Sequence, residues 1–99
     1  MGEKFKDRCY GIIREIPKGK VTTYKEVAKV LGTKAWRAVG TAMKDNKNTR
    51  VPCHRVINAD GTLGGYNGIL GDKAQLLAGE GIKIRNGKIN LCEYKYEFS

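Results

Sequence analysis

Long apolar runs are missing from this 99-residue chain, and without one no helix can span a bilayer. The first residues lack the uninterrupted apolar segment of a secretory signal, and Lys6 stands where a myristoylation signal needs Ser or Thr. Cysteine is scarce. Cys9, Cys53 and Cys92 are odd in number and show no CxxC spacing, which speaks against a disulfide framework and for free thiols in a reducing compartment. The expected location is the cytoplasm, or the nucleus if the source has one. Histidine is scarcer still: His54 stands alone, so the four ligands of a zinc site are not in sight. A papain-type hydrolase is excluded too, because its thiol needs a distant histidine. Acidic residues number 10 against 19 Lys and Arg, a net charge of +9. That excess fits a polyanionic partner, nucleic acid before membrane. No repeat or linker divides the chain, so residues 1–99 are expected to form one domain. A core of that size buries only about 60–65% of the unfolded surface.

What is present reads first as helices. Phe5, Cys9, Ile12, Ile13 and Ile16 recur at three- and four-residue spacing, predicting a helix over 3–16 that Pro17-Lys18-Gly19 stops. Thr23, with Glu26 three residues on, forms a capping box for a second helix with Tyr24, Val27, Ala28 and Leu31 on its apolar stripe, ended by Gly32. Thr33 caps a third over 34–44, with Ala35, Val39, Ala42 and Met43 inward and Lys34, Arg37 and Lys44 outward. Two short helices across a glycine turn match a helix-turn-helix. A loop follows Asn46. Asp72 then caps a helix with Leu76 and Leu77 on its buried side, closed by Gly79 and Gly81. Asn86-Gly87 predicts a type I′ hairpin pairing Ile84 with Ile89 and Ile82 with Leu91. The expected fold is an α-rich α+β domain, a winged-helix-like helix-turn-helix with a small C-terminal β-hairpin. Cys9 and Cys92 are read as packing residues.

One stretch asks for more than packing: "VPCHRVINADG", residues 51–61. Pro52 fixes the backbone just before the Cys53 sulfur. Arg55 places a cation next to Cys53-His54, which favours thiolate. Gly61, Gly64, Gly65 and Gly68 let backbone approach a ligand closely. Neighbouring side chains seldom touch, so His54 would reach Cys53 through a water, as a base that a third group orients.

"PCHRV" (52–56) resembles the active-site signature of the O6-alkylguanine-DNA alkyltransferases. "GKVTTYKEVA" is similar to that family's first helix-turn-helix helix and "RAVGTAM" to its recognition helix. "GGYNGIL" resembles its substrate-pocket loop, and "LLAGEG" the helix ending in its glutamate. These blocks stand in the family's order over roughly residues 3–82. The resemblance implies DNA repair by irreversible transfer of an alkyl group from guanine O6 in double-stranded DNA to Cys53, with no redox or metal cofactor, by a monomeric, single-turnover methyltransferase. His54 would take the thiol proton, Glu80 would orient His54, and Tyr24 would assist the leaving guanine. Arg37 would fill the gap left by the flipped base. Ala35, Ala38 and Gly40 would admit the recognition helix to the minor groove, with Lys34 and Lys44 on the DNA. Val56, Tyr66 and Asn67 would line the substrate pocket with Tyr24 and Arg55, and Asn46 would brace the turn before the active-site loop.

Three features depart from the family pattern. The chain has no room for the extra N-terminal domain many members carry. "NKNTRV" replaces the usual apolar approach that begins Asn-Pro. Trp36 stands beside Arg37, where a smaller residue is usual. Two other readings stay open: a non-catalytic lesion sensor, of the kind that replaces the cysteine in some relatives, and a helix-turn-helix regulator.

Overall fold

The computed structural model describes residues 4–64 and 72–98. Helix α1 runs Phe5–Ile13, two to three residues shorter at each end than its apolar spacing suggests. Its C-terminus tightens: Glu15 N–H donates to Ile12 and Ile16 N–H to Ile13, at 3.1 and 3.0 Å. These short-range bonds satisfy carbonyls of the last turn and still deliver Ile16 to the interior, 1% exposed. Helix α2 is Tyr24–Val30. Thr23 Oγ1 accepts from Glu26 N–H at 3.0 Å, but only this half of the expected capping box is seen, because the Glu26 carboxylate lies 3.5 Å from Lys95 Nζ. The helix closes as a Schellman motif: Thr33 N–H donates to Ala28, Gly32 N–H to Lys29, and Gly32 takes φ +77°.

Helix α3, Trp36–Lys44, starts two residues later than expected. Thr33 Oγ1 accepts from Ala35 N–H at 3.2 Å, a local turn that competes with helix. Ala35 therefore sits at the cap with ψ 57° and is exposed, not inward. Val39, Ala42 and Met43 do form the inner face, fully buried. Helices α2 and α3 make the expected helix-turn-helix, and Lys34, Arg37 and Lys44 are exposed on it.

A parallel pair that periodicity did not announce ties the halves together. Strand β1 (Thr22–Thr23) pairs with β2 (Val56–Ile57), Thr22 opposite Val56 and Thr23 opposite Ile57. Successive strand residues face opposite ways. Val56 accordingly joins the core of Cys9, Ile13, Val27, Val39, Met43 and Cys53, and Ile57 joins a second core with Val21, Leu77, Ile82 and Ile89. Helix α4, Lys73–Gly79, is capped by Asp72, whose side chain accepts from Gln75 N–H at 3.0 Å. Its Leu77 is buried and Leu76 only half-buried. Strands β3 (Ile84–Arg85) and β4 (Lys88–Ile89) form the hairpin with Ile84 opposite Ile89. Asn86 and Gly87 at φ 52° and 74° make the expected I′ turn.

The ribbon is shorter than anticipated. Asn90 accepts from Cys92 N–H and starts helix α5, Leu91–Tyr94, so Leu91 does not pair with Ile82. Cys92 is exposed on that helix rather than packed in a strand. Beyond α5 the chain returns to β1: Tyr96 N–H donates to Val21 at 2.8 Å and Val21 N–H to Tyr94 at 2.9 Å. Gly61 lies against β4, with φ +91°. A methyl group there would stand 2.7 Å from the Ile89 carbonyl oxygen.

Candidate active site

The chain reaches Cys53 through a braced loop. Asn46, 2% exposed just beyond α3, donates from Nδ2 to Asn48 O at 3.0 Å and Val51 O at 3.5 Å, and its Oδ1 accepts from Asn48 N–H at 2.9 Å. Pro52 has φ −77°, ψ 66°, and Cys53 N–H donates to Val51 O at 2.8 Å. That is an inverse γ-turn, with φ already set by the pyrrolidine ring. A single 3-10 turn, Cys53–Arg55, follows and leads straight into β2. The sulfur's position is thus tied to the recognition helix on one side and to the parallel strands on the other.

His54, Arg55 and Glu80 form one buried cluster. The Schellman closure of α4, with Ile82 N–H to Leu77 and Gly81 N–H to Ala78, leaves Glu80 at the C-cap facing the 3-10 turn. Glu80 Oε2 lies 2.9 Å from His54 Nε2 and 2.6 Å from Arg55 Nη2, and Oε1 accepts from Arg55 Nε at 2.9 Å. Arg55 Nη1 donates to Ile16 O at 2.8 Å. Burial raises the Glu80 carboxyl, but hydrogen bonds from Arg55 and His54 outweigh it and hold the group below its ordinary value. An ionised carboxylate only accepts, so His54 Nε2 carries the proton. Nδ1 is then the basic nitrogen. It is buried, and no described residue bonds it.

The Arg55 expectation is corrected here. Its guanidinium is spent on Glu80 and Ile16, so it fixes the carboxylate rather than lining a pocket or flanking the sulfur. Lys73, which no motif singled out, is a buried cation of the site. It stands in the first turn of α4 with 5% exposure, donating from Nζ to Tyr24 Oη at 3.3 Å and lying 5.6 Å from that ring's centroid. Burial lowers its pKa to about 8, against the opposing pull of the Cys53 sulfur.

A cleft of about 440 Å³ opens beside this cluster, within the size range of small-molecule sites. Tyr24, Trp36, Arg37, Gly40, Thr41, Lys44, Asn58 and Gly64 line it. Four of these carry expected roles: Tyr24, Arg37, Gly40 and Lys44. Gly64 belongs to the glycines expected to let backbone approach a ligand; Thr41 and Asn58 were not anticipated. Cys53, 4% exposed, is not among the described lining residues. At Gly64 the cleft borders Tyr24 and Lys73: a methyl group there would come within 3.7 Å of Tyr24 Oη and 3.8 Å of Lys73 Nζ. Val56 is buried in β2 and is not among the described residues that line this cleft. Ala35, Ala38 and Lys34 are exposed along the start of α3, and Trp36 is 42% exposed with Lys25 Nζ 5.2 Å from its ring centroid. Tyr66 and Asn67 lie outside the described residues. No group of three or more potential metal-binding side chains occurs among the described residues.

A sequence model for the DNA-binding domain of 6-O-methylguanine DNA methyltransferase matches residues 4–82. The chain is 39% identical, over 96% of its length, to the methylated-DNA–protein-cysteine methyltransferase of Candida glabrata, of which it covers 51%. It is 38% identical to Alkyltransferase-like protein 1 of Schizosaccharomyces pombe, covering 96% of each chain. The crystal structure of S. pombe Atl1 in complex with damaged DNA containing O6-carboxymethylguanine superposes with a TM-score of 0.84, at 37% identity over 98% of both chains. The chain spans about a third to a half of the first curated relatives it matches.

Proposed function

The chain belongs to the 6-O-methylguanine DNA methyltransferase family through its DNA-binding domain, and from that premise we propose that it repairs O6-alkylguanine in double-stranded DNA by moving the alkyl group onto Cys53. The observation that carries this reading is Cys53 placed beside a histidine whose Nε2 is pinned by an ionised Glu80 while Nδ1 is left basic. The thiol proton passes through a water to His54 Nδ1. Sulfur then attacks the alkyl carbon: the C–S bond forms as the C–O bond breaks, and the electron pair returns to the purine. Tyr24 donates a hydrogen bond to the ring, so guanine leaves with less negative charge to localise. The thioether is stable, and the protein is spent after one event.

Flipping the base out costs a few kcal/mol of stacking and pairing. Arg37, exposed at the start of α3 and lining the cleft, takes the vacated place in the stack. Ala35 and Ala38 let the helix approach the groove, and Lys34 and Lys44 face phosphates. The test is mass spectrometry after incubation with a duplex bearing O6-methylguanine. One added methyl on the Cys53 peptide is expected, with transfer lost but lesion binding kept in Cys53→Ala. A second reading, a lesion sensor without transfer, is favoured by the near-complete overlap with the alkyltransferase-like protein. Tight lesion binding with Cys53 left unmodified would select it.

A further inference from the structure

We propose that Trp36 is a DNA-stacking residue: its indole packs on a base face exposed at the gap that the lesion leaves in the duplex, beside the place taken by Arg37. The proposal rests on the base-flipping step of the proposed function and assigns a side chain that step does not use. Trp36 opens α3 and keeps 42% of its surface exposed. A single exposed apolar side chain is ordinary, so its surroundings decide. Trp36 borders three hollows at once, the cleft and two smaller ones of about 350 and 250 Å³. Their described lining residues include no acid, and Lys25, Lys34, Arg37 and Lys44 stand among them. An aromatic ring set among cations is the arrangement that holds unpaired bases: the charges draw the phosphates and the ring takes a base face.

The ring is also held ready. Lys25 Nζ, from α2, lies over it at 5.2 Å from the centroid. Such a contact steadies an exposed aromatic side chain and so lowers the ordering cost of stacking. A ring has two faces, and one cation covers only one of them. Along α3, Trp36, Gly40 and Lys44 stand in one row at four-residue spacing, and all three line the cleft. The middle position carries no side chain, so indole and ammonium flank a gap on the helix surface. Arg37 and Thr41 make the neighbouring row of the same cleft. The two rows divide the work: Arg37 replaces the lost base in the stack, and Trp36 covers a face that its loss exposes.

Binding to three duplexes that differ at one position tests this: O6-methylguanine, an abasic site, or guanine. The abasic duplex has the gap without the lesion. Affinities are measured on the full chain carrying Cys53→Ala, so that no transfer interferes. Trp36 belongs to neither core, so truncating it leaves the packing intact. Trp36→Ala is expected to weaken binding to the O6-methylguanine and abasic duplexes by about 5- to 150-fold, the range for one base stacked on an aromatic ring. Trp36→Phe should recover most of that loss, and binding to the guanine duplex should change by less than about twofold. With Cys53 in place, the fluorescence of the single tryptophan should fall on binding the first two duplexes and not the third. A loss confined to O6-methylguanine makes Trp36 a wall of the lesion site, an equal loss on all three makes it a groove contact, and no loss makes it an ordinary exposed side chain; each overturns the proposal. Methyl transfer is followed separately by mass. A chain that gains no methyl yet shows the gap-dependent loss refutes the transfer reading and leaves the Trp36 role standing. One that gains methyl while Trp36→Ala binds as before overturns the Trp36 role alone.

Discussion

Replacing Glu80 by glutamine changes one oxygen into an NH2 and leaves shape untouched, yet the cluster cannot absorb it. Oε2 receives His54 Nε2 and Arg55 Nη2, and Oε1 receives Arg55 Nε. An amide has only one acceptor oxygen. If that oxygen takes the Oε2 place, its NH2 meets Arg55 Nε–H, donor against donor. If it takes the Oε1 place, the NH2 faces Arg55 Nη2 and forces His54 to become an acceptor at Nε2, moving the imidazole proton to Nδ1 and removing the base. Either way the Arg55 charge loses its counter-ion while only 16% of its side chain is exposed. Breaking a buried pair on one side costs about 3–5 kcal/mol, a large part of the roughly 5–15 kcal/mol that holds a domain together. In a chain of this size 3 kcal/mol lowers Tm by about 12 °C or more. Urea unfolding followed by far-UV circular dichroism is the assay, since half-exposed Trp36 reports the core poorly.

The pH dependence gives this prediction its second edge. The folded Glu80 pKa lies below its ordinary value of 4.5. Its stabilisation is therefore complete above pH 4.5 and is lost as pH falls through the folded value. The gap between Glu80→Gln and the unaltered protein should be widest at pH 7 and narrow steadily below 4.5. A variant within about 0.5 kcal/mol at pH 7, the range of an ordinary surface substitution, or a gap that does not change with acid, refutes the ion-pair account.

Other substitutions probe the scaffold and the DNA face. Gly61→Ala sets a methyl 2.7 Å from the Ile89 carbonyl in a left-handed backbone; it should cost about 1–3 kcal/mol, and a melting curve that does not move would contradict the close approach. Asn46→Ala orphans the Val51 and Asn48 groups it satisfies; a loss of about 1–3 kcal/mol and slower transfer are expected, and unchanged transfer would show that Cys53 does not depend on the brace. Arg37→Ala should slow repair in duplex DNA more than reaction with the free alkylated base, and equal slowing of both would show that Arg37 does not fill the stack.

How much of this was readable beforehand follows the range over which each signal acts. Capping by Thr23 and Asp72, the Gly32 stop and the Asn86-Gly87 turn are decided within a few residues, and each stands where its local chemistry puts it. Local chemistry also explains the misplaced start of α3, because Thr33 bonded Ala35 N–H instead of opening a helix. The β1–β2 pair could not be heard: two-residue strands carry no period, and their partners lie in distant parts of the chain.

The site divides in the same way. Cys53, His54 and Glu80 came from motifs, but motifs do not say which cation faces which anion. Arg55, two residues from the sulfur in sequence, turns to a carboxylate 25 residues on. Lys73, an ordinary helix-start lysine by sequence, reaches a phenol 49 residues back. In a short turn like Cys53–Arg55, successive side chains leave in different directions, so adjacency in the chain is a poor guide to electrostatic adjacency. A buried amine such as Lys73 is stable only where its desolvation is offset by its neighbours, and that offset belongs to the packed fold. The cation two residues from Cys53 in sequence is not free to face the sulfur, because it already holds the histidine's carboxylate.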